Sequence, residues 1–225
     1  MPALFEKTLL KHFAQHSDIV QAQKMEAYMK HKFSFFGIPS PLRKQIVRNI
    51  IAEQGKPEDG IAIAKSLFSL PQRELHYVGQ ELLMSYKKQW NENTIEILEE
   101  LITTNSWWDT VDFLAGSAAG HYFEKWPQHK EATVQRWNGS NNMWLVRSSI
   151  LFQLKYKDAV DEELLQEMIL PHISDKEFFI RKAIGWALRQ YSKYSPKYVL
   201  DFVINHELQP LSEREALKHI NRQRS

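Results

Sequence analysis

The chain has 225 residues, 43% of them apolar and 25% charged, with a net charge of +2. That composition is globular rather than disordered, and the length suffices to bury roughly 70% of the unfolded surface in one domain without covalent staples. With no cysteine it excludes disulfides, thiolate chemistry and cysteine-ligated zinc, while the charge balance leaves room for a basic face backed by an acidic one.

Taken in chain order, helical periodicity predicts helices over 2–16, 18–32, 40–54, 58–69, 72–88, 92–103, 107–125, 129–138, 142–157, 160–171, 176–193, 196–205 and 211–221. The breaks have local causes. Pro39 and Pro41 bracket Ser40, Pro71 stops one helix, and Pro127, Pro171, Pro196 and Pro210 punctuate the later ones. Glycine and proline number only 8 and 9, fewer than a strand-rich chain spends on its turns. The first residues, Met1-Pro-Ala-Leu-Phe-Glu-Lys, contain no apolar signal core, and no stretch approaches a membrane span. A cytoplasmic monomer with no membrane contact and no obligate protein partner is the expectation.

An internal repeat sharpens the fold. Trp144-Leu-Val-Arg-Ser-Ser-Ile-Leu-Phe-Gln-Leu-Lys matches Phe178-Phe-Ile-Arg-Lys-Ala-Ile-Gly-Trp-Ala-Leu-Arg at an offset of 34, setting Arg147 on Arg181 and Phe152 on Trp186. Leu82 and Tyr86 match Phe152 and Tyr156 at an offset of 70, nearly two periods. All-helical repeats of this length stack so that each hairpin covers the apolar face of the last. The chain is therefore expected to be all-α, a superhelical solenoid of HEAT-like hairpins forming one domain over 1–225. Ile150, Leu154, Ile184 and Leu188 are expected between its layers, and matched positions should project into one concave groove.

Few residues could carry chemistry in such a groove. Trp108 and Asp112 stand at i and i+4, so an aromatic and a carboxylate share one helix face. Arg147 lies about one repeat downstream. These residues are equally readable as an inter-repeat ion pair with Trp108 in the core. Trp186 shares the repeat position of Phe152, which favours a packing role, but Gly185 before it leaves space for another molecule to approach the indole. Tyr28 reads as ordinary packing. Basic residues form groups: Lys30 with Lys32; Arg43, Lys44 and Arg48; Lys87 with Lys88; Lys155 with Lys157; and Arg181, Lys182 and Arg189. On a concave face these would contact successive phosphates of duplex DNA. Metal-ligand spacings, phosphate-cradling glycine loops and nucleophile elbows are missing, so no metal or cofactor is expected. Gly116-Ser-Ala-Ala-Gly120 is explained by close helix packing.

The stretches Ala27-Tyr-Met-Lys, Asn105-Ser-Trp-Trp-Asp-Thr-Val-Asp112, Asn142 to Lys157 and Lys176 to Arg189 together resemble the AlkD-type bacterial DNA alkylation repair glycosylases, over essentially the whole chain. The resemblance implies a HEAT-like superhelix that wraps duplex DNA and a monofunctional glycosylase acting on cationic N3- or N7-alkylated purines. By matched motif, Asp112 would be the catalytic carboxylate and Arg147 its supporting arginine, which would also touch phosphate. Trp108 and Trp186 would contact the sugar, and Tyr28 would lie near the lesion. The DNA-contacting set would comprise Tyr28, Lys30, Arg43, Lys44, Arg147, Lys155, Lys157, Arg181, Lys182 and Arg189. A non-enzymatic helical-repeat scaffold binding nucleic acid or protein is the alternative.

Overall fold

A computed structural model describes residues 4–224. Among them the chain is all-α: no strand forms, and the sole ladder contact is an isolated bridge between Ser34 and Gln72. Among the described residues no helix is long and apolar enough to cross a membrane. The chain divides into two compact units, residues 1–91 and 92–225.

The first unit holds α1 (Leu4–Gln15), α2 (Ile19–Tyr28), α3 (Ser40–Gln54), α4 (Gly60–Phe68) and α5 (Arg73–Ser85). The expected start of α1 at Pro2 lies outside the described residues. Helix α1 packs on α3 and α4 on α5, around a core of Phe5, Leu9, Phe13, Ile46, Ile50, Leu67 and Leu75. Asp18 starts α2, its Oδ1 accepting from the N–H groups of Val20 and Gln21 at 2.9 and 3.0 Å. The helix ends at Tyr28, four residues short of expectation, because Lys30 and His31 enter the left-handed region at φ 57° and 54°. The buried Glu74 carboxylate accepts the N–H groups of Phe36, Gly37 and Ile38, satisfying the loop that leads into α3.

The second unit holds α6 (Thr94–Thr103), α7 (Trp108–Phe113), α8 (Gly120–Lys125), α9 (Lys130–Asn138), α10 (Met143–Leu151), α11 (Glu162–Ile169), α12 (Phe178–Tyr191), α13 (Pro196–Asn205) and α14 (Pro210–Arg224). Helix α10 is the middle layer, packed against α6, α7, α9 and α11 and also against α12. That is the stacking of helical hairpins which the 34-residue offset requires. Ile150, Ile184 and Leu188 are buried in these layers, each contributing on the order of 2 kcal/mol of apolar transfer energy. Leu154 is only half-buried.

Two departures from the predicted helices bear on the site. The span 107–125 is one helical path, but its middle turn, Leu114–Ala119, is π-helical. Its glycines allow close packing as expected: a Cβ at Gly120 would come within 2.6 Å of the Phe152 carbonyl. The span 142–157 breaks after Leu151 into turns and a short 3-10 segment, Lys157–Ala159, with Lys157 at φ 59°. Phe152 therefore falls beyond the end of its helix and is buried, whereas its repeat partner Trp186 stays inside α12 and is only half-buried. The shared packing role expected from the repeat fails at this position.

Candidate active site

Three elements of the second unit build the site. Asn105, left-handed at φ 48°, turns the chain after α6 and leads through an extended Trp107 into α7. Asparagine tolerates that conformation better than most residues. Starting the helix at Trp108 puts Trp108 and Asp112 on the same side, one turn apart. Helix α10 is started by Asn142, whose Oδ1 accepts from the Trp144 N–H at 2.9 Å, and it presents Arg147 near its middle. Helix α12 presents Lys182, Trp186 and Arg189 at spacings of four and three, a single stripe.

These residues meet. A cleft of about 370 Å³ is lined by Trp108, Asp112, Arg147, Trp186, Lys182, Arg189, Phe178 and Phe179. Arg147 grips Asp112 with two parallel bonds, Nε to Oδ1 at 2.7 Å and Nη2 to Oδ2 at 3.0 Å. This fork-on-fork geometry fixes the carboxylate in orientation as well as position. The third nitrogen, Nη1, donates to the Phe179 carbonyl at 2.5 Å, leaving the Arg147 side chain only 4% exposed. Asp112 remains 13% exposed, toward the cleft it lines. Burial pushes the Asp112 carboxyl above the ordinary aspartate range; the bonds and charge of Arg147 oppose that rise, and Asp109 on the same helix adds to it.

Behind the pair stands an aromatic cluster. Trp107 packs against Trp144 and Phe179 with ring centroids 5.7 and 5.1 Å apart, and Trp144 meets Phe179 at 5.1 Å. Trp107 thus faces packing, and its neighbour Trp108 faces the cleft. Sequence reasoning missed Phe178 and Phe179. The repeat did carry a signal for them, since Phe178 aligns with Trp144, but nothing in it announced that the Phe179 carbonyl would hold Arg147.

The basic residues sort into distinct environments. Lys155 and Lys157 are exposed. Arg181 is half-buried, and its Nε has no hydrogen-bond partner among the described residues. Lys182 and Arg189 line the cleft yet are paired to Glu215 of α14, at 3.1 and 2.5 Å. In the first unit Lys30 is exposed, as is Lys44, 3.8 Å from Glu81. Arg43 is buried, with a two-pronged bond to the Glu81 carboxylate at 2.9 and 3.1 Å. Tyr28 is 68% exposed and lines a groove of about 370 Å³ with Met25, Phe35 and Tyr77. Gly185 does not open space beside the Trp186 indole for a ligand. A Cβ there would lie 2.5 Å from the Glu215 Cβ and 2.7 Å from the Ser212 carbonyl, so the space is filled by α14.

The fold is thus a stack of helical hairpins, and its second unit carries a cleft in which a braced carboxylate and two indoles are edged by cations. Comparison with known proteins supplies the family. The family described as "DNA alkylation repair enzyme" matches residues 9–220, and the chain belongs to that family. A solved structure described as a predicted DNA alkylation repair enzyme from Enterococcus faecalis is similar, with 30% identity and a TM-score of 0.83 over 91% of this chain and 96% of that one. No curated protein matches.

Proposed function

We propose that the protein is a monofunctional DNA glycosylase that hydrolyses the N-glycosidic bond of cationic N3- or N7-alkylated purines in duplex DNA and leaves an abasic site. The observation that carries this reading is the cleft in which Trp108, Asp112, Arg147 and Trp186 converge although they span 79 sequence positions.

The chemistry asked of these residues is modest. In an alkylated cationic purine the electrons of the breaking bond neutralise the departing base, so no general acid is needed. Positive charge grows instead on the deoxyribose. The Asp112 carboxylate stabilises that charge electrostatically and accepts a hydrogen bond from the water that attacks C1′, as in sugar hydrolysis. Arg147 orients the carboxylate. The indoles of Trp108 and Trp186 offer π faces to the electron-poor sugar. Base flipping into a pocket, which many base-modifying enzymes need, has no role in this scheme: the cleft acts on the sugar.

The test is release of free N7-methylguanine from duplex DNA, compared with Asp112→Asn, together with borohydride treatment. Release by the wild type, a slowed variant and no trapped adduct are expected. No release, or a covalent protein–DNA adduct, overturns the reading. A scaffold role is favoured by one observation, the near-burial of the Asp112–Arg147 pair, which suits a purely structural bridge. On that reading no lesion-specific rate exists to be lost.

A further inference from the structure

Glu215 has a place that the scheme above leaves unused. It is the acidic centre of a cluster where α14 packs on α12. Its side chain is only 5% exposed, yet three cations converge on it: Lys182 at 3.1 Å, Arg189 at 2.5 Å and Lys218 at 2.9 Å. Lys182 and Arg189 line the cleft, and Lys218 does not. Lys182, Trp186 and Arg189 form the stripe of α12 that faces Asp112 and Arg147 across the cleft, so both cations anchored by Glu215 flank the indole.

The backbone is arranged to bring this carboxylate in. Helices α12 and α14 form the most extensive helix pair of the unit. Gly185, immediately before Trp186, makes the approach possible, because any Cβ there would collide with Glu215 and Ser212. The Ser212 hydroxyl locks the crossing by donating to the Arg181 carbonyl at 3.0 Å. A buried carboxylate is costly unless partnered. Here it has more positive partners than one charge can neutralise, so Lys182 and Arg189 keep a net positive field toward the cleft while their long chains are held still. Flexible cations lose rotamer freedom when they bind a phosphate, and cations already immobilised do not.

We propose that Glu215 is a positioning residue for the cleft: it holds Lys182 and Arg189 on either side of Trp186, pre-set to contact the phosphates that flank the sugar under attack. This rests on the glycosylase reading for its consequence, but the positioning itself can be read without catalysis.

The experiment compares wild type, Glu215→Gln, and Lys218→Met, which removes the one partner that does not line the cleft. The first readout is NMR relaxation of the Arg189 Nε–H. In the wild type it should be as ordered as the backbone, and in Glu215→Gln mobile. The second is single-turnover release of N7-methylguanine at saturating enzyme, well below the melting temperature. It should fall about tenfold in Glu215→Gln and stay within twofold in Lys218→Met. Affinity for undamaged duplex should change less than the release rate in Glu215→Gln, since the lost pre-ordering of the two cations and the removed negative charge act in opposite directions. Should Glu215→Gln fail to fold, Lys182→Met replaces it, with the same expected loss of rate and retained Arg189 order. An Arg189 side chain as ordered in Glu215→Gln as in wild type, or an unchanged release rate, overturns the proposal. A wild type that releases no base defeats the glycosylase reading instead, and the Arg189 order still decides the role of Glu215.

Discussion

Replacing Asp112 by asparagine keeps the shape of the side chain and removes its charge, which makes it the most informative single change. Two unit charges 4 Å apart interact by about 4 kcal/mol at an effective dielectric of about 20. Only part of a charge develops on the sugar, so a loss of about 3 kcal/mol is expected, or roughly 100-fold in the rate of base release. The change also has a structural cost. Arg147 now donates to both Oδ1 and Oδ2 of Asp112. Asparagine offers one acceptor and turns an amide N–H toward a guanidinium donor, losing a charged hydrogen bond worth about 1.5–3 kcal/mol. Single-turnover excision and a melting curve on the same samples separate the two effects. The residual rate should be highest for the most labile cationic bases, which need least help. Excision at the wild-type rate, at a temperature where the variant is fully folded, would refute the catalytic role of Asp112.

Arg147→Ala should be more damaging to the fold, by about 3–5 kcal/mol, because it leaves a mostly buried carboxylate unpaired. Its affinity for undamaged duplex should change by less than its excision rate, since Arg147 is 4% exposed and its donors already serve Asp112 and Phe179. Binding titrations beside the kinetics check this. The pH profile of excision should lose activity on acidification with a midpoint above the ordinary aspartate value of about 3.9, because burial raises Asp112 and the ionised form is the active one. The shift of Glu215 runs the other way, and it bears on stability. Burial raises its carboxyl, but Lys218 and Lys182 more than offset that and hold it down to about 2, so its contribution is present above the ordinary glutamate range of about 4.3 and is lost as pH falls toward 2, visible as a declining melting temperature in the wild type but less so in Glu215→Gln. Gly185→Ala should destabilise by about 1–3 kcal/mol through overpacking against α14, a drop of roughly 2–4 °C in melting temperature for each kcal/mol.

The helices were legible in the sequence because apolar period and proline position are local properties, and their middles agree except in 107–125, whose middle turn is π-helical. Their ends were less so. Lys30 takes a left-handed backbone that no propensity rule assigns to lysine, and this shortens α2; α10 stops at Leu151, six residues ahead of the left-handed Lys157. The pairing of Arg147 with Asp112 was visible as a repeat relation, since residues about one period apart become neighbours when hairpins stack. What it could not reveal was the choice between cleft and core. Phe152 and Trp186 occupy one repeat position, yet the first is buried in the core while the second lines the cleft. Arg43 and Lys44 are adjacent basic residues in sequence; in the fold Glu81 takes the first into a buried pair and leaves the second exposed. Charge in a sequence says nothing of which partner a distant helix will bring.

The π-helical turn at Leu114–Ala119 lies between the two jobs of one helical path. Ahead of it, Trp108 and Asp112 serve the cleft; within and after it, Gly116 and Gly120 seat the path against the end of α10. Each residue of an α-helix advances the azimuth by about 100°, and a π turn accommodates a surplus residue in the ladder. The turn therefore acts as an indexing joint. Deleting one residue within 114–119 would relax it to regular α-helix and swing the carboxylate by about 100° out of reach of Arg147, while the glycine seat could remain where it is. Aim and anchorage are thus set separately along a single stretch of chain, so a change of one residue in length would do more to the chemistry than most substitutions in the cleft itself.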